Sequence, residues 1–231
     1  SSNHRLFKVL PVSAISSTIS KGLTLRDDYR HHDRIDVGFG PRSIVLLGDN
    51  TLDRIAVLAE ELEALIQITL HETPEQVLSA IEQFGERPVD YLARRGLLSP
   101  RTQCVHMNNL GSQDIETLAK NAAHVINCPR NNLILGSGIC PVQRLADEGI
   151  NVALGTGSAA TNNRLNLLSE IQAVVLIEKI LGRNSTPVDP WLALEMSTIC
   201  GAKALGQDET IGSLELGKAA DLIALDLSPI L

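Results

Sequence analysis

With 231 residues, 44% of them hydrophobic, the chain is long enough to bury a sizeable core in one large domain or two small ones. Aromatic residues make up only 3% and the formal charge is −7, which excludes a nucleic-acid reader that stacks bases on rings or holds phosphates on a positive face. Four cysteines without a CxxC pair argue against a disulfide framework or a cysteine zinc site, and no apolar run approaches the ~18 residues of a membrane span. These features lead us to expect a cytoplasmic protein in a reducing compartment, with neither nucleic acid nor membrane as partner. The chain begins with Ser rather than Met, as a processed chain or a piece of a longer one would.

Short apolar runs alternate with amphipathic patterns from end to end, the rhythm of an α/β protein. Phe7 to Ile15 is a first strand candidate, followed by a helical pattern from Ile19 to Tyr29 and a second strand from Arg34 to Phe39. Thr51 to Leu65 places Leu52, Ile55, Leu58 and Leu62 on one helical face, and Ile66 to Leu70 is a third strand. Thr73 then caps a helix with Pro74 in its first turn and Gln76 three residues after the cap, and Gly85 stops it. A shorter helix from Pro88 to Arg95 ends at Gly96.

Thr102 to His106 is the fourth strand, Ser112 to Ala122 a helix, and His124 to Cys128 the fifth strand. Asn131 to Pro141 reads as a long glycine-bearing loop without a phosphate-binding fingerprint, followed by a brief helix from Pro141 to Glu148. Asn151 to Leu154 is the sixth strand. It runs into a loop, Gly155 to Asn163, that holds no Asp, Glu, His or Cys. Leu165 to Leu181 and Pro190 to Leu205 are the longest helices, and a turn-rich stretch leads to a last strand at Leu222 to Leu225.

In a parallel α/β fold, catalytic groups sit at the carboxyl ends of the strands. Glu72 and His106 both stand there. Glu72 suits a general acid or base, and equally a helix N-terminal acid favoured by the dipole. His31 and His32 lie in a charged run and read as solvated surface, while His124 shows no partner in the sequence.

The blocks RIDVGFGPRS, LHETPEQVLSAIEQFGERPVDYL, VHMNNL, INCPRNNLILGSGICPV, NVALGTGSAATNN and IGSLELGKAADLIALDL occur in the order found in metal-dependent amidohydrolases. They most resemble the methylthioadenosine/S-adenosylhomocysteine deaminase group, over a span from about Val9 to Pro229. The resemblance implies an eight-stranded β/α barrel flanked by a small β-sandwich, with one zinc or similar divalent ion activating a water that displaces an adenine amino group. On this count the chain carries the third to the eighth barrel strands over residues 1–206, with a remnant of the flanking β domain over 207–231.

Carried over residue by residue, the resemblance fails at the metal. The family's first-strand HxH pair would lie upstream of Ser1. The fifth-strand His ligand is Thr69 here, and the eighth-strand Asp ligand is Gly157. The substrate loop reads Pro41-Arg42-Ser43-Ile44-Val45 and lacks the family's His. Glu72 matches the family's proton shuttle and His106 the residue that positions the attacking water. His71, two residues from Thr69 along a strand, is a candidate replacement ligand on the same face. We therefore expect no metal cofactor in this chain and no metal-dependent deamination by it. A purine nucleoside is a possible ligand. The open strand edges of such an arc call for self-association or a complementary chain. An active fragment of a larger deaminase and a non-catalytic nucleoside-binding protein are the alternatives.

Overall fold

The computed structural model describes residues 6–11, 15–181 and 188–226. The elements run β1 (Leu6–Pro11), α1 (Ile15–Tyr29), β2 (Ile35–Gly40), α2 (Asp49–Glu61), β3 (Ile66–Leu70), α3 (Pro74–Phe84), α4 (Pro88–Arg94), β4 (Thr102–His106) and α5 (Ser112–Lys120). They continue with β5 (His124–Asn127), α6 (Pro129–Leu135), α7 (Val142–Asp147), β6 (Val152–Leu154), α8 (Ala159–Asn162), α9 (Leu167–Leu181), α10 (Pro190–Met196) and α11 (Ile199–Ala204). The six strands form one sheet in sequential order, and every neighbouring pair is parallel. A parallel neighbour has to be reached by a crossover, and each connection here supplies one or more helices.

Strand periodicity divides β3 cleanly. Ile66, Ile68 and Leu70 are buried in the hydrophobic core with Leu52 and Ile55 of α2, Val89 and Leu92 of α4, and Ile115 and Leu118 of α5. Gln67 and Thr69 are half-buried and, by the two-residue period, lie on the other face. There the Gln67 amide donates to Gln103 of β4 at 2.9 Å, and Gln103 donates onward to the Ala204 carbonyl of α11 at 2.8 Å. Polar side chains on this face are thus paired at the amino ends of the strands, which leaves the carboxyl ends for other uses.

Several expectations are revised. The first strand ends at Pro11 and α1 begins by Ile15, with residues 12–14 outside the described set, as are the residues beyond 226. α2 ends at Glu61 because Glu63 turns left-handed (φ 49°) and leads directly into β3. The expected loop from Asn131 is in part helix: Pro129 presets the first turn of α6, and Gly136, at φ 63°, stops it. The single helix expected from Pro190 to Leu205 is two. The hydroxyls of Ser197 and Thr198 each donate to the Leu194 carbonyl at 2.8 Å, competing with the helical ladder at that point. The strand expected at Leu222 to Leu225 does not form. Leu222, Ile223 and Leu225 are exposed, and no described strand lies beside them to complete a ladder. No helix among the described residues is long and apolar enough to cross a membrane.

Candidate functional site

Two strand ends are welded together. Leu70 pairs with His106 in register, and the bonding continues past both strands, with Met107 N–H donating to Leu70 O (3.1 Å) and Asn108 N–H to His71 O (3.0 Å). His71, His106 and Met107 all have positive φ, of 51°, 79° and 56°. For residues with a Cβ this costs roughly 1–2 kcal/mol apiece, offset by the hydrogen bonds that the turn allows.

The turn brings Glu72 and His106 face to face, with Nε2 of the imidazole 3.7 Å from the nearer carboxylate oxygen. The Glu72 main chain is held from both sides. Its N–H donates to Gln76 Oε1 at 2.8 Å, and its carbonyl accepts from the amides of Asn108 (3.1 Å) and Asn109 (3.0 Å). The carboxylate itself is a quarter exposed.

His106 is oriented by a chain of buried asparagines. Asn132 Nδ2 donates to Asn108 Oδ1 (2.8 Å) and to Asn127 Oδ1 (3.3 Å), so its own Oδ1 is the atom facing His106 Nδ1 at 2.8 Å. The proton of a neutral imidazole therefore sits on Nδ1, and the lone pair of Nε2 points towards Glu72. Two acceptors form no hydrogen bond with each other, and these stand 3.7 Å apart. They are spaced to share a donor group, such as a water or an amine.

His71 is corrected. The left-handed backbone turns its ring away from the face of Thr69 into the core, where it is fully buried. Nδ1 donates to the Asn109 carbonyl at 3.0 Å, and Nε2 has no hydrogen-bond partner and stands 4.0 Å from Asp114. Asp114, also fully buried, is gripped by Arg87 at 2.7 Å. Burial holds the His71 imidazole below the ordinary histidine range. His31 and His32 are exposed as expected, and His124 has partners after all in Pro100 O and Asn151 Nδ2, both at 3.0 Å.

The loop after β6 is fixed from behind by Glu170 of α9, a fully buried carboxylate. Its oxygens accept from Asn162 Nδ2 (2.7 Å) and from the Arg130 N–H (3.0 Å), while Asn162 Nδ2 also donates to Thr156 O at 2.5 Å. Asn108, Asn132, Asn162 and Glu170 went unremarked in the sequence. The signal for the three asparagines is a repeated asparagine pair, at 108–109, 131–132 and 162–163, each downstream of a strand, whereas Glu170 carries none.

The donor set at these strand ends does not fit a metal of the zinc type. Such a site takes about four N, O or S ligands, whereas Thr69 offers only a hydroxyl and Gly157 no side chain at all, which leaves Glu72 and His106 as the ionisable pair facing each other here. Among the described residues no group of three or more His, Cys, Asp or Glu side chains could hold an ion. A cleft of about 640 Å³ lies elsewhere, at the amino end of β2 beside the carboxyl end of α2, between Arg26, His31, His32, Asp36 and Glu63. Arg26 there is already committed to the Val37 and Leu62 carbonyls.

An all-parallel α/β sheet with polar residues gathered at its carboxyl ends defines a class of enzyme-like domains, and comparison supplies the family. Residues 18–231 match the amidohydrolase family, to which the chain therefore belongs. It is 50% identical over 212 residues to a 5-methylthioadenosine/S-adenosylhomocysteine deaminase of Teredinibacter turnerae, covering 92% of this chain and 48% of the relative. The corresponding protein of Saccharophagus degradans is 48% identical over 210 residues, 91% of this chain and 47% of its own length. An adenosine deaminase from Xanthomonas campestris with bound zinc superposes with a TM-score of 0.92 at 32% identity, over 98% of this chain and 53% of that one. The chain thus spans about half the length of the relatives it matches.

Proposed function

We propose that this chain is a deaminase-derived amidohydrolase domain that does not itself carry out metal-dependent deamination, and that its paired strand ends keep a pocket for the amino edge of a purine nucleoside. The observation that carries this reading is the combination at the carboxyl ends. Thr69 and Gly157 stand where the family resemblance places metal ligands, while Glu72 and His106 remain opposed at 3.7 Å. Without the divalent ion, neither residue lowers the pKa of a water far enough to make it a nucleophile near neutral pH. An exocyclic amine satisfies both acceptors at once, and it is the group that 6-aminopurines present.

In this reading β1 to β6 are the third to eighth strands of a (β/α)8 barrel, residues 1–206 are its arc, and residues 207–231 are what is left of the flanking β domain. All four cysteines are free and three are buried, which supports a reducing, cytoplasmic setting. The test is elemental analysis of the purified chain together with assays on adenosine, 5′-methylthioadenosine and S-adenosylhomocysteine. We expect no stoichiometric zinc, no deamination above background and no effect of Glu72→Gln on turnover, with nucleoside binding in calorimetry that Glu72→Gln weakens. Stoichiometric zinc, or a turnover removed by a chelator and by Glu72→Gln, would overturn the first half. Absence of nucleoside binding would overturn the second.

The coverage of only half the relatives' length favours one other reading, an active deaminase assembled when another polypeptide supplies the remaining strands. Co-expression with the amino-terminal half of the Teredinibacter turnerae relative separates the two, since activity in the mixture supports assembly.

A further inference from the structure

Gly157 adopts φ +65°, and a Cβ built on it would stand 2.5 Å from Asn131 Oδ1, 2.9 Å from Asn131 Cγ and 3.1 Å from Asn131 Cβ. All three contacts are with one side chain, and the first two are closer than packed atoms approach. Asn131 is 3% exposed, and its Oδ1 accepts a hydrogen bond from the Thr161 hydroxyl of α8. Neither side of the contact is free to give way. Arg130, beside Asn131 on α6, donates its N–H to Glu170, and Asn162 ties both the Glu170 carboxylate and the Thr156 carbonyl. One buried carboxylate therefore anchors α6 and the loop after β6 to each other, with Gly157 and Asn131 pressed together between them.

We propose that Asn131 occupies the space through which a side chain at position 157 would enter the site, so that the loop is built in a metal-excluding form rather than merely lacking a ligand. This rests on the proposed reading of Gly157 as a former ligand position. Asn131, Thr161 and Gly157 then act as one unit, and an acid reintroduced at 157 alone meets the Asn131 carboxamide. The competing explanation is that glycine stands here only because φ is left-handed, a strain that any other residue would suffer whatever occupies position 131.

A double-mutant cycle separates the two. Gly157→Ala is made in the parent chain and in an Asn131→Ala background, and thermal midpoints are measured by circular dichroism. Left-handed strain is present in both backgrounds, so any difference reports the contact with the carboxamide. The expected result is that Gly157→Ala lowers the midpoint in the Asn131→Ala background by less than half of what it does in the parent. Folding of the double variant where Gly157→Ala alone fails to fold supports the proposal equally. Equal shifts in the two backgrounds, or loss of fold in both, would overturn it. Zinc content of the parent chain keeps the two readings apart. Equal shifts with a metal-free parent sink only the role of Asn131, whereas stoichiometric zinc in the parent sinks the metal-free reading and this one with it.

Discussion

Nε2 of His106 stands 3.7 Å from the Glu72 carboxylate, and what keeps it there is the Asn132 carboxamide on Nδ1 at 2.8 Å. Asn132 also satisfies Asn108 and Asn127, so its loss strands three buried polar groups at once. Asn132→Leu is expected to destabilise the chain by about 3 kcal/mol, read from urea unfolding. A change within about 0.5 kcal/mol would show that water replaces the carboxamide without loss.

A second buried pair carries a comparable penalty. Arg87 Nε lies 2.9 Å from both oxygens of the fully buried Asp114, and its Nη2 donates to Asn109 O at 2.9 Å. Arg87→Met leaves that carboxylate without its cation and should cost about 3 kcal/mol, the lower end of the range for breaking a buried pair because Arg87 is itself about a third exposed. Unfolding midpoints in urea check it.

Burial pushes His71 and His124 below the ordinary histidine value of 6.5. Between that value and their lower folded ones, the unfolded chain binds more protons than the folded chain, so their contribution to stability is complete above pH 6.5 and is lost as pH falls. His71→Gln, neutral at every pH, should flatten the fall of the thermal midpoint as pH is lowered from about 7 to 5. A profile as steep as the parent's would contradict this assignment.

The start of α3 offers a smaller test. Thr73 Oγ1 accepts from Gln76 N–H at 3.3 Å, and Gln76 Oε1 accepts from Glu72 N–H at 2.8 Å. Thr73→Ala is expected to cost about 1 kcal/mol. Gln76→Ala should in addition speed amide exchange at Glu72, measurable by NMR, because that N–H loses its acceptor.

The outer edges of β1 and β6 have no partner strand among the described residues, and unpaired edges invite another chain. Sedimentation of the isolated chain is expected to show concentration-dependent association. A monodisperse monomer with a cooperative thermal transition would sink that expectation.

The parts of the fold that were legible in the sequence are those governed by local chemistry. The Thr73 cap with Pro74 and Gln76 marked α3, the left-handed glycines Gly85 and Gly96 marked where α3 and α4 stop, and the apolar period of Leu52, Ile55, Leu58 and Leu62 marked α2. These signals act within a turn or two of chain, so the residues themselves carry them. Glu72 and His106 could be nominated because they stand at strand ends and match a family pattern. Their 3.7 Å juxtaposition could not, since it depends on positive φ at His71 and His106 and on asparagines tens of residues away.

His71 shows the limit most clearly. Strand periodicity put it beside Thr69, and a single left-handed residue, held by cross-strand bonds to Asn108 and Asn109, sent it into the core. The same holds for position 157. By itself the sequence determined that a glycine, with no side chain to bind anything, follows the sixth strand. Only the tertiary structure, by drawing α6 and the loop after β6 onto the one buried carboxylate of Glu170, decided that Asn131 already fills the space a longer residue would need.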